Sequence, residues 1–145
     1  MTSHNALVNI NADKKGSGAL IRKKFSYSSP IFDPSGRILS LIVNGINFIN
    51  VYAHSGTNKK KQRDELFANQ MTVHLNKSDS KFPVLLGDFN CIINPTDSNG
   101  SVRNYSKGLR CLVESFKLKD ISEALNSGKF TFYRGDSASR IDRVP

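Results

Sequence analysis

Asp88 and Asn90 stand two positions apart at the end of the run Pro83-Val84-Leu85-Leu86-Gly87-Asp88-Phe89-Asn90. A carboxylate and a carboxamide so placed can hold a divalent cation, orient a water and contact a phosphate oxygen. The uninterrupted apolar residues Val84 to Leu86 read as a strand covered on both faces, and Gly87 lets the backbone turn at its end. In open α/β sheets, ligands bind beyond the carboxyl ends of the strands, which is where this pair falls. Asp and Asn are also common turn formers, so the run alone leaves a plain strand-to-loop turn open.

The elements that must position the pair can be read around it. Residues 6–10 and 18–22 are apolar enough for two strands, with Asp13-Lys14-Lys15-Gly16 as the turn between them. The runs Ile38–Val43 and Ile46–Tyr52 flank Asn44-Gly45, a pair that favours the type I′ hairpin turn because both central residues need positive φ. Asn47 and Asn50 among the apolar residues of the second run suggest a partly polar sheet face. Phe67, Met71 and Leu75 recur every four residues, which predicts a helix over 62–76. His74 lies near that stripe and reads as a packing or surface residue. Residues 94–100 are dense in turn formers and predict a loop. A second helix is expected from about Ser106, with Leu109, Leu112, Val113 and Phe116 on one face. Residues 129–134 and 140–144 look like a final strand pair around Gly135-Asp136-Ser137. Strands and helices mix without regular alternation, so the fold class is α/β: a layered sandwich with mixed sheets flanked by helices, in one domain over 1–145.

Twenty-one basic residues against twelve acidic give a net charge of +9. Such an excess favours polyanions, nucleic acid first and acidic membrane surfaces second. The cluster Lys59-Lys60-Lys61 and Arg63 reads more readily as a solvated loop and helix start than as a binding patch. No stretch approaches the roughly 20 apolar residues of a membrane span, and the first residues lack the character of a secretory signal. Cys91 and Cys111 have neither metal-ligand spacing nor a redox pairing, which fits a reducing compartment.

Four segments in order, Asn50-Val51-Tyr52-Ala53, Leu86-Gly87-Asp88-Phe89-Asn90, Phe130-Thr131-Phe132 and Ser139-Arg140-Ile141-Asp142, resemble the endonuclease/exonuclease/phosphatase superfamily. The likeness is greatest to the apurinic-type endonuclease domains of non-LTR retrotransposons. It runs from about residue 8 to the end, and Gly16–Arg22 resembles the glycine-led strand that precedes the hairpin there. The resemblance implies a four-layered α/β sandwich that hydrolyses DNA phosphodiesters with Mg²⁺ or Mn²⁺. The aspartate matching Asp88 activates the attacking water. The asparagine matching Asn90 orients it and contacts metal or phosphate, which makes Asp88 and Asn90 the implied metal ligands. The tyrosine matching Tyr52 hydrogen-bonds a phosphate oxygen as charge accumulates, and the aspartate matching Asp142 buttresses a histidine. From residue type alone, Tyr52 could be a strand-end tyrosine in water, and Asp142 could pair with Arg140 or Arg143.

The pattern departs from the family in several places. Its principal metal-ligating glutamate precedes the tyrosine, whereas Glu65, Glu114 and Glu123 all follow Tyr52. Its Ser-Asp-His ending has no counterpart before Pro145, and His4, His54 and His74 stand elsewhere. His54-Ser55 replaces the Pro-Asn or Pro-Ser that commonly follows the Tyr-Ala pair. The expectation is therefore the middle of an endonuclease domain, cut at both ends, with impaired hydrolysis and a weak metal site, because hard cations need several oxygen ligands. DNA is the expected partner, with no membrane and no protein partner indicated; intact relatives are fused to a reverse transcriptase. Two alternatives remain: a noncatalytic basic nucleic-acid-binding fragment, and a phosphatase of the same superfamily.

Overall fold

The computed structural model describes residues 3–12, 16–76, 82–100, 104–125 and 129–144. Its centre is a five-stranded mixed sheet in the order β3-β4-β5-β6-β9, formed by Tyr27–Phe32, Ile38–Val43, Ile46–Tyr52, Phe82–Asp88 and Asp142–Arg143. The β4–β5 hairpin turns at Asn44 (φ 51°) and Gly45 (φ 79°), the two positive angles that Asn-Gly was expected to supply. β6 then pairs parallel to β5, with Tyr52 opposite Asp88, and β9 pairs antiparallel to β6, with Asp142 opposite Asp88.

Strand alternation sorts the side chains onto two faces. Ile38, Ile49, Val51 and Leu85 face a helical layer and pack on Leu66, Phe67, Met71, Leu75, Leu109 and Leu112. That layer contains α1 (Lys60–Glu65), a π turn (Leu66–Gln70), α2 (Met71–Leu75) and α3 (Lys107–Ser115). The helix expected over 62–76 is thus one continuous run through 60–75, widened at its middle. Helix α3 starts at Ser106, whose hydroxyl accepts from the Leu109 N–H (3.1 Å) and donates to the Asp64 carboxylate. Gly108 lets α3 approach closely, since a Cβ there would sit 3.0 Å from the Asp64 backbone.

On the other face lies the antiparallel hairpin of β1 (His4–Ile10) and β2 (Gly16–Arg22). Its Ile21, with Leu7 and Ala19, packs on Leu39, Leu41, Val43 and Phe48. The expected turn at Asp13-Lys14-Lys15 falls outside the described residues. The described chain therefore forms three layers, where the family likeness implied four. The outer face of the hairpin carries exposed Val8, Ile10 and Leu20.

Asn47 and His74 show how the polar residues of the sheet are absorbed. Both are buried, with the Asn47 amide donating to the His74 carbonyl (2.8 Å) and His74 Nδ1 2.7 Å from Ser40 Oγ. His74 is thus a packing residue. Cys91 is another: burial pushes its thiol up to about 12, so it stays protonated.

Two sequence expectations need correction, and one strand had no counterpart in the sequence reading. The chain over 27–32 forms β3, although Ser28-Ser29-Pro30 gave it no strand signature; Pro30 is tolerated because β3 is an edge strand. The expected pairing of 129–134 with 140–144 does not form. A tighter hairpin, β7 (Phe132–Arg134) with β8 (Ser137–Ser139), turns at Gly135 (φ 57°), and this frees Asp142–Arg143 to pair with the edge of β6. Arg63, grouped with the solvated lysines, is fully buried, whereas Lys59, Lys60 and Lys61 are exposed. The final helix, α4 (Ile121–Leu125), had no periodic signal in five residues. The loop expected at 94–100 does contain a 3-10 turn at Pro95–Asp97, capped by Asn94.

Candidate active site

Tyr52, Asp88 and Asp142 end up abreast at one level of the central sheet, on three adjacent strands. The register places them there: each is the cross-strand partner of the next, so all three side chains leave the same face. The turn after β6 depends on Gly87, whose φ of 128° suits glycine. A Cβ at that position would lie 2.1 Å from the Val51 carbonyl oxygen, so the close approach of β5 and β6 forbids a side chain.

Asn90 (φ 51°) closes the turn back onto Asp88. Its backbone N–H donates to Asp88 Oδ1 (2.8 Å), and its amide NH₂ donates to Asp88 Oδ2 (3.1 Å) and to the Ala53 carbonyl (2.9 Å). The amide nitrogen is thus committed, and the amide oxygen is the end able to face a cation or water. Ala53 returns the tie by donating its N–H to the Asp88 carbonyl (2.9 Å). Partial burial raises the Asp88 carboxyl above its usual range, and the nearby Asp142 charge adds to the rise; the two hydrogen bonds from Asn90 work against it.

Asp142 is exposed beside Asp88 and does not pair with its neighbours in sequence. Arg140 and Arg143 turn inward instead. Arg140 bridges Asp97 (2.7 Å) and Asp120 (3.2 Å), and Arg143 bridges Asp120 (2.6 Å) and Asp97. This buried quartet anchors the strand that carries Asp142. Asp97 has its carboxyl held below the ordinary range. Burial is the largest influence and opposes ionisation, but the hydrogen bonds from Arg140, Arg143 and the Asn94 N–H outweigh it. Thr131 fixes the same strand from outside, its hydroxyl accepting from the N–H groups of Ile141 and Asp142 (3.1 Å each).

An open cleft of about 590 Å³ lies over Asp88 and Asp142, with Lys129 and Thr131 on its wall. Asn90 lines a neighbouring, more enclosed cavity of about 390 Å³, together with Ser55, Gly56, Thr57 and Arg134. Tyr52 stands half-buried beside them, with the Arg37 guanidinium 5.5 Å from its ring centre and bonded to its carbonyl (3.0 Å).

A hard divalent cation fits this donor set with few protein ligands. Asp88 and Asp142 put two carboxylates side by side, and the repulsion that adds to the burial-driven rise of Asp88 is what a cation would relieve. Mg²⁺ commonly takes one or two carboxylates and completes its shell with water and substrate phosphate. Among the described residues no group of three or more His, Cys, Asp or Glu could form a cage.

No family model and no curated protein matches the sequence. Solved structures do match the fold. An AP endonuclease from Archaeoglobus fulgidus superposes with a TM-score of 0.65 at 17% identity, covering 98% of this chain and 66% of its own. The 3′ phosphatase NExo from Neisseria, bound to product DNA hairpin, gives 0.70 at 21% identity, with 98% and 66% covered. The endonuclease domain of TRAS1, a telomere-specific non-LTR retrotransposon, gives 0.67 at 16% identity, with 99% and 67% covered. The chain has the endonuclease/exonuclease/phosphatase fold. It spans about two thirds of the length of these structures. The sequence motifs singled out Tyr52, Asp88, Asn90 and Asp142, and the structure brings Tyr52, Asp88 and Asp142 to one level of the sheet, with Asn90 tied to Asp88. The motifs did not single out Thr131 as a support, although it lies in a quoted segment, and gave no sign of Arg37 or of the Asp97–Asp120 pair.

Proposed function

We propose that this chain binds DNA and hydrolyses its phosphodiester bonds with a divalent cation, as an apurinic-type endonuclease of retrotransposon descent. The observation that carries the reading is the shared level of Tyr52, Asp88 and Asp142, with Asp88 and Asp142 lining an open cleft and Asn90 tied to Asp88. The DNA in the NExo structure and the retrotransposon origin of the TRAS1 domain support DNA as substrate.

Each residue has a task that its placement allows. Asp88, half-buried and with a raised carboxyl, accepts a proton from the attacking water. Asn90 holds Asp88 in one rotamer through two hydrogen bonds and turns its own amide oxygen toward that water or the cation. Tyr52 has a hydroxyl that can donate to a non-bridging phosphate oxygen, which gains charge in the transition state. Lys129 on the cleft wall attracts the phosphate. Asp142 contributes the second carboxylate. A Mg²⁺ or Mn²⁺ ion held by Asp88, Asn90 and Asp142 supplies Lewis-acid polarisation of the phosphoryl oxygen when bound.

The test is nicking of supercoiled plasmid by the purified chain, with Mg²⁺ against EDTA and Asp88→Ala alongside. Relaxation that needs the metal and falls about 10²–10⁴-fold in the mutant supports the reading. No nicking from a cooperatively melting protein overturns it; Mg²⁺-independent, salt-sensitive DNA binding would then assign a noncatalytic binder. The open cleft also accommodates a terminal 3′ phosphate, and release of inorganic phosphate without nicking would assign the phosphatase reading.

A further inference from the structure

We infer that Arg63 is a positioning residue for Asn90, acting through the Ala53–Gly56 turn; the inference rests on the hydrolytic reading of the site. The Arg63 guanidinium is 0% exposed, in the first helix of the layer below the sheet. Its Nη1 donates to the carbonyls of His54 (2.8 Å) and Gly56 (3.2 Å). Its Nε and Nη2 are buried with no hydrogen-bond acceptor among the described residues. No ion pair forms to it there, and the carboxylate next to it in sequence, Asp64, accepts from Ser106 instead.

A buried charge whose Nε and Nη2, the majority of its N–H donors, go unused is a poor source of stability. Replacing such a group with an apolar side chain of similar volume is often neutral or stabilising. What the guanidinium does, and an apolar residue cannot, is clamp two carbonyls two residues apart, one of them at Gly56, where φ is 90°. The clamped turn begins at Ala53, whose carbonyl receives the Asn90 amide and whose N–H holds the Asp88 carbonyl. Ser55, Gly56 and Thr57 of the same turn line the cavity that Asn90 faces. An unbroken line of contacts therefore leads from Arg63 through His54, Gly56 and Ala53 to Asn90 and Asp88.

The experiment compares Arg63→Met and Arg63→Lys with the parent chain by melting, by the side-chain NH₂ signal of Asn90 in ¹⁵N spectra, and by plasmid nicking. The Asn90 signal is identified by its loss in Asn90→Asp. In Arg63→Met the melting point is expected to hold or rise and the Asn90 signal to move. Turnover should fall roughly 10- to 100-fold, as a small misplacement near the chemistry does, with KM within about twofold. Arg63→Lys keeps the charge and one donor, so its signal and turnover should lie between. An unmoved Asn90 signal in both variants, or a raised KM at unchanged turnover, overturns the inference. If Arg63→Met does not fold, Arg63→Lys decides: a moved signal supports positioning, and an unmoved one assigns Arg63 to stability alone. A moved signal in a chain that hydrolyses nothing leaves positioning standing and removes the hydrolytic reading.

Discussion

Asp88 and Asp142 face each other across one strand pair, and Asp88 ionises beside the Asp142 charge. Partial burial is the larger cause of the raised Asp88 carboxyl, and Asp142 adds to it. As a base, Asp88 must be ionised, so hydrolysis should fall as pH drops through this raised value. Asp142→Asn removes the repulsion, favours the ionised form and moves that acid limb to lower pH; ¹³C titration of the Asp88 carboxyl checks the shift without any turnover. An unmoved midpoint would mean that the two groups do not interact. At this scale much was legible in the sequence. Gly-Asp-Phe-Asn, Asn-x-Tyr-Ala and Ser-x-Ile-Asp are short segments whose chemistry is carried by residue type. Arg63 was illegible because a basic residue after three lysines gives no sign of which way it points.

Gly87 and Thr131 set the elements that carry those residues. Gly87→Ala drives a Cβ into the Val51 carbonyl at a positive φ, so it is expected to cost roughly 3 kcal/mol or more. Denaturant unfolding measures this, and a near-neutral result would refute the close approach of β5 and β6. Thr131→Val keeps the shape but removes the acceptor for two backbone N–H groups, at a cost of about 0.5–1.5 kcal/mol because water can reach the exposed Asp142 N–H. It should also loosen Asp142, visible as faster hydrogen exchange of the Ile141 and Asp142 amides. The β4–β5 hairpin was readable because Asn44-Gly45 encodes its own turn. The last strand was not: β9 is two residues long, and its partner lies more than fifty residues earlier in the chain. A local pattern cannot choose between that partner and the nearer β7.

Across the whole molecule, the buried quartet joins the 3-10 turn, the segment before α4 and the last strand. Its bridged partners are 20 to 46 residues apart along the chain, so only the folded chain brings them together. Asp97→Asn leaves two buried guanidiniums short of a counter-charge and is expected to destabilise by about 3–5 kcal/mol. The linkage has a definite sign. Asp97 is held below 3.8 in the folded chain, so its stabilisation is complete above that value. It is lost as pH falls through the lower, folded-state value, and acid melting curves of the parent and Asp97→Asn should converge there. The same economy governs what the protein shows to the outside. Arg37, Arg63, Arg140 and Arg143 are buried, while every described lysine is exposed. Among the described residues, four of the seven guanidinium forks, the side chains best shaped to grip a phosphate with two bonds or to read a guanine edge, lie inside, and Arg22, Arg110 and Arg134 stay exposed. What a polyanion meets is mostly ammonium, a hydrated point charge that attracts without reading. Such a surface would hold right and wrong sequences alike and release both as salt rises, leaving discrimination to the shape of the cleft and to Arg134 on the wall of the Asn90 cavity.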